Sequence, residues 1–225
     1  AAGMKQKLFG VTLEKLLNSL GQTVYMVGIA LFLGSLLGLA IALVLVLCRR
    51  GGLKENRIIY TIVSAFVNVV RSVPFVILLV TIMPLTRAVV GTTIGSTAAL
   101  VPLIFYISPY MARLIENSLL EVDAGMIEAS RAMGATPFQA VRYFLLPEAL
   151  GSIALALTTG AIGLLGATAM AGYVGGGGIG DLALTYGYQK FNTPLMLFTV
   201  CILIFVVQIL QALGNRISRR LRERN

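Results

Sequence analysis

The chain contains no histidine and no tryptophan, and only nine of its 225 residues are acidic. Without histidine there is no histidine metal site, no histidine general base and no Ser-His-Asp triad. Charged residues make up 12% of the sequence, about half the roughly one quarter found in soluble domains. Cysteine is scarce as well. Cys48 and Cys201 both lie in apolar runs and read as small buried hydrophobes rather than as a disulfide. Also missing is a Gly-x-x-x-x-Gly-Lys-Ser/Thr loop; the run Gly175-Gly176-Gly177-Gly178 has no lysine after it. ATP therefore has no phosphate cradle of the usual kind here. Apolar residues fill the space left by these absences, at 57% of the chain with a mean hydropathy of +0.89.

A bilayer core of about 30 Å needs roughly 20 apolar residues in a helix. Five stretches meet that length: 23–48 and 151–171 without a charge, 58–85 with Arg71 and Pro74 inside it, 94–112 interrupted by Pro102 and Pro109, and 193–213. The expected fold is an all-α membrane protein with five transmembrane helices. Gly28, Gly34 and Gly38 in the first stretch would let a neighbouring helix approach closely. The domain reading is an amphipathic helix over 1–20, a transmembrane domain over 21–214 with a cytoplasmic loop at 113–148, and a basic cytoplasmic tail over 215–225. Leu8, Phe9, Leu13, Leu16, Leu17 and Leu20 recur at helical spacing between lysines, as in a helix lying on a membrane surface or leading into the first span. Ala1-Ala2-Gly3 before Met4 reads as a cloning remnant. No cleavable signal peptide is expected, because the first apolar run is too long for one.

The net charge of +9 could speak for nucleic acid, but its placement speaks for a membrane. Arg49, Arg50, Lys54 and Arg57 follow the first span, and Arg216, Arg219, Arg220, Arg222 and Arg224 follow the last. Basic clusters beside apolar spans are topology signals. With the C-terminus inside, those two groups and Arg113, Arg131 and Arg142 give twelve inward Lys/Arg. Five remain outside: Lys5, Lys7, Lys15, Arg87 and Lys190. The bias predicts an N-out, C-in protein.

Arg71 is the single charge deep in a span. It costs roughly 2.5–3.5 kcal/mol on insertion scales and so faces protein or water. It either lies near a pathway or gate, or hydrogen-bonds carbonyls freed by Pro74. In the stretch 172–182 six of nine consecutive residues are glycine, which permits a tight or re-entrant path or a plain connector. Tyr173, Tyr186 and Tyr188 suit the headgroup level.

The most informative segment lies between the third and fourth spans. It reads Glu128-Ala129-Ser130-Arg131-Ala132-Met133-Gly134 and continues to Phe144-Leu145-Leu146-Pro147. Small residues at 129, 130, 132 and 134 leave a stretch of helix bare enough for another protein's backbone to approach. Gly134 permits a turn between two short helices. Thr136 and Pro137 read as the N-cap and first position of the second helix, and Pro147 as its end before the fourth span. Two such helices make a rigid knob. This segment resembles the EAA loop of ABC importer permeases: Glu-Ala-Ala, three residues, Gly, nine residues, then Ile-x-Leu-Pro. Glu128, Ala129, Gly134, Leu146 and Pro147 match at the family spacing; Ser130 stands for alanine and Phe144 for isoleucine.

Further segments are similar to the methionine branch of these permeases: Arg71-Ser72-Val73-Pro74-Phe75, Pro84-Leu85-Thr86-Arg87, Val90-Gly91-Thr92-Thr93-Ile94-Gly95 and Tyr186-Gly187-Tyr188-Gln189-Lys190-Phe191. The similarity covers about residues 18–215. It implies the transmembrane domain of an ABC type I importer, in a bacterial inner membrane and working as a homodimer. Two separate ATPase subunits would bind ATP and Mg²⁺ and grip the knob through Glu128, Ala129, Ser130, Gly134 and Pro147. An extracytoplasmic methionine-binding protein would deliver substrate. It also implies that Met170, with Gly166, Ala167, Thr168, Ala169 and Ala171, lines a narrow apolar gate between protomers. This chain would then make or break no covalent bond and bind no cofactor. Carriage of another amino acid remains open on these residues. An ion-coupled transporter or an intramembrane enzyme is disfavoured, because none of the five stretches contains an acid.

Overall fold

A computed structural model describes residues 7–8 and 10–223, and from residue 13 onward it is built of helices and their connections. The expected surface helix over 1–20 is not what forms in the described part of that segment. Strand β1 (Lys7–Leu8) pairs antiparallel with β2 (Val11–Thr12), Lys7 opposite Thr12 and Leu8 opposite Val11. β-Branched Val11 and Thr12 favour extended backbone, and the Thr12 hydroxyl accepts from Lys15 N–H at 3.4 Å as the helix begins. Helix α1 (Leu13–Cys48) then runs unbroken for 36 residues, about 54 Å at 1.5 Å per residue. The amphipathic lead-in and the first span are one helix. Residues 1–6 and 9 of the expected surface helix lie outside the described part, as do Lys5 and Arg224 of the charge count.

Helices α2 (Arg57–Ser72), α3 (Phe75–Thr81) and α4 (Met83–Val90) follow. Asn56 caps α2, its side chain accepting from Ile58 and Ile59 N–H at 3.1 Å. Pro74 separates α2 from α3, because it lacks the N–H that would continue the ladder. Helix α5 (Ser96–Leu120) passes through both Pro102 and Pro109. The interruptions expected there do not occur, as membrane helices tolerate proline where neighbours satisfy the freed groups. Next come α6 (Ala124–Ala132), α7 (Pro137–Gln139), a π-helical stretch (Ala140–Leu145) and α8 (Leu146–Ala171), the last three continuous from Pro137 to Ala171. A kinked stretch (Gly172–Gly176) whose Val174 and Gly175 leave helical φ/ψ, then α9 (Ile179–Asp181), a second π-helical stretch (Leu182–Tyr188) and α10 (Thr193–Arg222) follow.

Among the described residues four helices are long and apolar enough to cross a membrane: α1, α5, the 137–171 helix and α10. The pair α2 and α3 meets the same test only as one bent span. Each long helix contributes to two compact units, one of residues 1–32, 74–106 and 161–209, the other of 33–73, 107–160 and 210–225. The second unit is organised by α5, whose Ile107, Met111, Ile115 and Leu119 recur every four residues and are at most 2% exposed. That stripe is the buried face of one helix. Against it α1 approaches at Gly34 and Gly38; a Cβ at Gly38 would stand 2.7 Å from Met111 Cβ and 3.0 Å from Ala112 N. Gly28 meets nothing within 4 Å, so only two of the three glycines named from sequence serve helix packing.

The polar end of the chain is more ordered than a tail. Helix α10 continues to Arg222, Ser218 donates to Gly151 O at 2.8 Å, and Arg222 donates to Ser152 Oγ at 3.1 Å. Residues 215–222 are therefore the last turns of α10, packed on the start of α8. In the first unit, Val11, Leu16, Leu182 and Leu195 form a buried cluster with Tyr186, Phe198 and Ile202 against it.

Candidate functional site

The segment 121–147 folds as two helical pieces around a left-handed turn. Asp123 starts α6, its carboxylate accepting from Gly125 N–H at 2.7 Å. At the other end Gly134 takes φ +76°, and Gly134 N–H and Ala135 N–H bond back to Arg131 O and Ser130 O at 2.9 and 3.0 Å. Those bonds satisfy carbonyls that the helix end leaves free. Thr136 opens the second piece with a capping box: Gln139 N–H donates to Thr136 Oγ1 at 3.3 Å, and Thr136 N–H donates to Gln139 Oε1 at 2.8 Å. Pro137 occupies the first helical position, where its missing N–H costs nothing.

Pro147 does not end this piece. The helix continues through it, and the preceding residues 140–145 are π-helical, with Leu146 N–H bonded to Val141 O. The wider π turn accommodates a ring that would clash with the carbonyl four residues earlier in α-helical register. The second piece and the fourth span are one continuous helix from Pro137 to Ala171.

Exposure sorts the remaining residues. Glu128, Ala129, Ala132 and Gly134 are exposed, but Ser130 is fully buried and donates to Ile127 O at 2.7 Å. Ser130 therefore belongs to the inner face of α6, and the bare surface is Ala129, Ala132 and Gly134. Around it stand three large apolar side chains that spacing did not single out: Met133 (67% exposed), Phe138 (74%) and Tyr143 (67%). The available signal was their position beside the small residues, since large apolar groups left in water beside a bare helix mark a contact surface. Arg131 holds α6 in place by donating to Gly52 O at 2.8 Å, in the loop after α1. A cavity of about 190 Å³ lies between that loop and α6, with Arg49, Glu128 and Arg131 among its lining.

Arg113 was expected in the polar loop but belongs to α5, seven residues before its end. It pairs with buried Glu116 at 2.7 Å and reaches α2, donating to Ser64 O at 3.2 Å, to Ser64 Oγ and to Asn68 Oδ1 at 3.0 Å. One cluster thus binds α5 to α2. One turn further along α2, Arg71 is exposed and its guanidinium carbon lies 5.9 Å from the centre of the Tyr110 ring, within cation–π range.

In the first unit the glycine-rich run is a held turn. Gly178 N–H donates to Gln22 Oε1 and Ile179 N–H to Thr23 Oγ1, both at 2.9 Å, and Gly95 N–H donates to Gly175 O at 2.9 Å. A Cβ at Gly178 would stand 2.8 Å from Thr23 Oγ1, so close packing explains the lack of a side chain. Gln22 and Thr23 were not visible as partners because they lie 156 residues away. Lys15 and Lys190 place their ammonium groups 3.4 and 4.3 Å from the centre of the Tyr186 ring. The Tyr173 side chain lies outside the described part. Just before this turn, Met170 is 49% exposed and Gly166, one turn earlier, is exposed too. Ala167, Thr168 and Ala171 are buried within the chain. Of the six residues expected at a gate, Gly166 and Met170 are the exposed ones.

Residues 34–223 match the family described as binding-protein-dependent transport system inner membrane component. The chain is 45% identical over 216 residues to a probable D-methionine transport system permease protein MetI of Vibrio cholerae, covering 96% of each. It is 48% identical over 157 residues to the D-methionine transport system permease protein MetI of Escherichia coli K12, covering 70% of this chain and 72% of that one. Among solved structures, a chain of the MetNI methionine ABC transporter in an inward-facing conformation superposes with a TM-score of 0.91 at 44% identity, over 93% of this chain and 97% of that chain.

Proposed function

The chain belongs to the family of binding-protein-dependent transport system inner membrane components, and from that membership we propose that it is the membrane-spanning subunit of an ATP-driven methionine importer. One observation carries the reading beyond family: an exposed apolar knob (Met133, Phe138, Tyr143 around Ala129, Ala132 and Gly134) is continuous with a 35-residue helix long and apolar enough to cross a membrane. A contact surface joined rigidly to a span can pass on a push; a flexible loop could not.

In this reading the α2–α3 pair is the fifth span, the N-terminus lies outside and the knob and C-terminus lie inside. The chain works as a homodimer, since five helices enclose no pathway for an amino acid, and a two-fold pair can. Two ATPase subunits hold ATP and Mg²⁺, grip the knobs through Glu128, Ala129 and Gly134, and close and open against one another. Ser130 and Pro147 act from within, Ser130 on the buried face of α6 and Pro147 in the lever. Closure carries the knobs together and tips the 137–171 levers between inward- and outward-open states. A binding protein on the outer face delivers methionine. Met170 and Gly166 face the partner protomer and form the apolar constriction that a thioether side chain passes. The chain itself performs no covalent chemistry.

Such two-state driving works only through different affinities for the two states. The test is uptake of labelled methionine into proteoliposomes holding this chain, its ATPase and its binding protein. Uptake should require ATP and ignore an imposed proton or sodium gradient. Uptake driven by the gradient without ATP refutes the proposal.

A further inference from the structure

We propose that Arg71 receives the carboxylate of the amino-acid cargo during translocation, an inference that rests on the importer reading above. Helix α2 has two unlike sides. Ile58, Ile62, Phe66 and Val69 form an exposed apolar stripe, suited to lipid or to an apolar partner. At about 100° per residue, Ser64, Asn68 and Arg71 fall on the other side at spacings of four and three. Val67 on that side is fully buried, whereas Asn68 and Arg71 stay exposed in the chain. That side packs on α5 at Ser64, is buried at Val67 and is exposed at Arg71, a place for a charge that faces protein or water rather than lipid.

The polar residues of that side differ in what they bond. Ser64 and Asn68 are taken by Arg113, whose own charge is met by Glu116. Arg71 has the Tyr110 ring beside it and, among the described residues, no ion pair or hydrogen bond. Its place along the helix matters. Fourteen residues beyond Arg57, it lies about 21 Å along α2 at 1.5 Å per residue, within the bent α2–α3 segment that the importer reading takes as the fifth span. A charge in a span without a counter-charge is costly. Among the described residues no acid pairs with it, and Glu116 on α5 is engaged by Arg113.

A bracing role accounts for Arg71 less well. Two carbonyls near the break at Pro74 find partners without it: Val73 N–H bonds to Val70 O at 3.2 Å and the Ser72 hydroxyl to Asn68 O at 2.8 Å. What remains is a planar guanidinium beside an aromatic ring, free to accept a bidentate partner. An α-carboxylate fits that fork. Arg71 would then select for a free carboxylate while the apolar constriction admits the side chain, two separate filters on one cargo.

The test uses the assembled transporter in proteoliposomes and reads methionine taken up per ATP hydrolysed, with the thermal midpoint of the purified complex alongside. Glutamine can still donate hydrogen bonds to carbonyls but carries no charge; lysine keeps the charge. Arg71→Gln should lower the uptake ratio roughly tenfold or more, with Arg71→Lys, which keeps the charge but not the fork, recovering only part of it and the thermal midpoints alike. The inference is overturned if Arg71→Gln matches the wild type. It is equally overturned if both variants lose uptake together with a fall in thermal midpoint, the mark of a brace. A wild type that fails to take up methionine with ATP sinks the importer reading as well, whereas a working wild type beside a working Arg71→Gln sinks this inference alone.

Discussion

Replacing Gly134 separates backbone strain from bulk at the knob. The residue sits at φ +76°, and a Cβ there would meet nothing within 4 Å. Alanine therefore causes no clash, and its whole effect comes from the left-handed conformation, which costs an L-residue roughly 1–2 kcal/mol. That energy shifts an equilibrium by about 5- to 30-fold. If the ATPase recognises the knob only with this turn intact, its affinity should fall by a factor in that range. Asparagine tolerates the left-handed region and should bind nearly as well as glycine. Glutamate adds a charge beside exposed Met133 and Phe138 to the backbone cost and should bind worse than alanine. The assay is titration of the purified ATPase against nanodiscs holding each variant, with membrane yield as the control for insertion. Wild-type affinity for Gly134→Ala, or an asparagine variant as poor as the glutamate one, would show that the turn is not what the ATPase reads.

Glu116→Gln should lower the thermal midpoint sharply, because Arg113 would keep a largely buried charge whose loss of partner costs about 3 kcal/mol, at the low end for buried pairs since the arginine side chain is 17% exposed; the double replacement Arg113→Met with Glu116→Leu should recover much of that, and a midpoint unchanged by Glu116→Gln refutes the pairing. Gly38→Ala and Gly28→Ala should move the midpoint in opposite directions. The first crowds Met111 and Ala112 at 2.7 and 3.0 Å, costing roughly 1–3 kcal/mol, and the second meets open space and gains helix propensity of up to about 1 kcal/mol; two shifts of the same sign would contradict the observed α1–α5 approach.

Much of the site was legible because its signals are local. The turn at 133–137 depends on Gly134, Thr136, Pro137 and Gln139, neighbours whose caps and dihedral preferences act within a few residues. The apolar runs likewise announce membrane helices, since length and hydropathy need no partner. Pro147 misled for the same reason: taken locally it ends a helix, and only the π-helical register of 140–145 carries the chain past it. Arg113 misled too. A charge beside an apolar run resembles a loop boundary until Glu116, Ser64 and Asn68 are brought around it.

The order of residues along the chain therefore determined a polytopic helical protein with an EAA-type knob, and pointed to its family. Which faces the helices bury was decided by tertiary structure alone. Ser130 turns inward while Met133, Phe138 and Tyr143 turn out, and Ala167, Thr168 and Ala171 are buried where Met170 is not. Gln22 finds Gly178 across 156 residues. In a run where nearly every residue is apolar, periodicity carries little contrast between one helix face and another, so facing is settled by what packs against each helix.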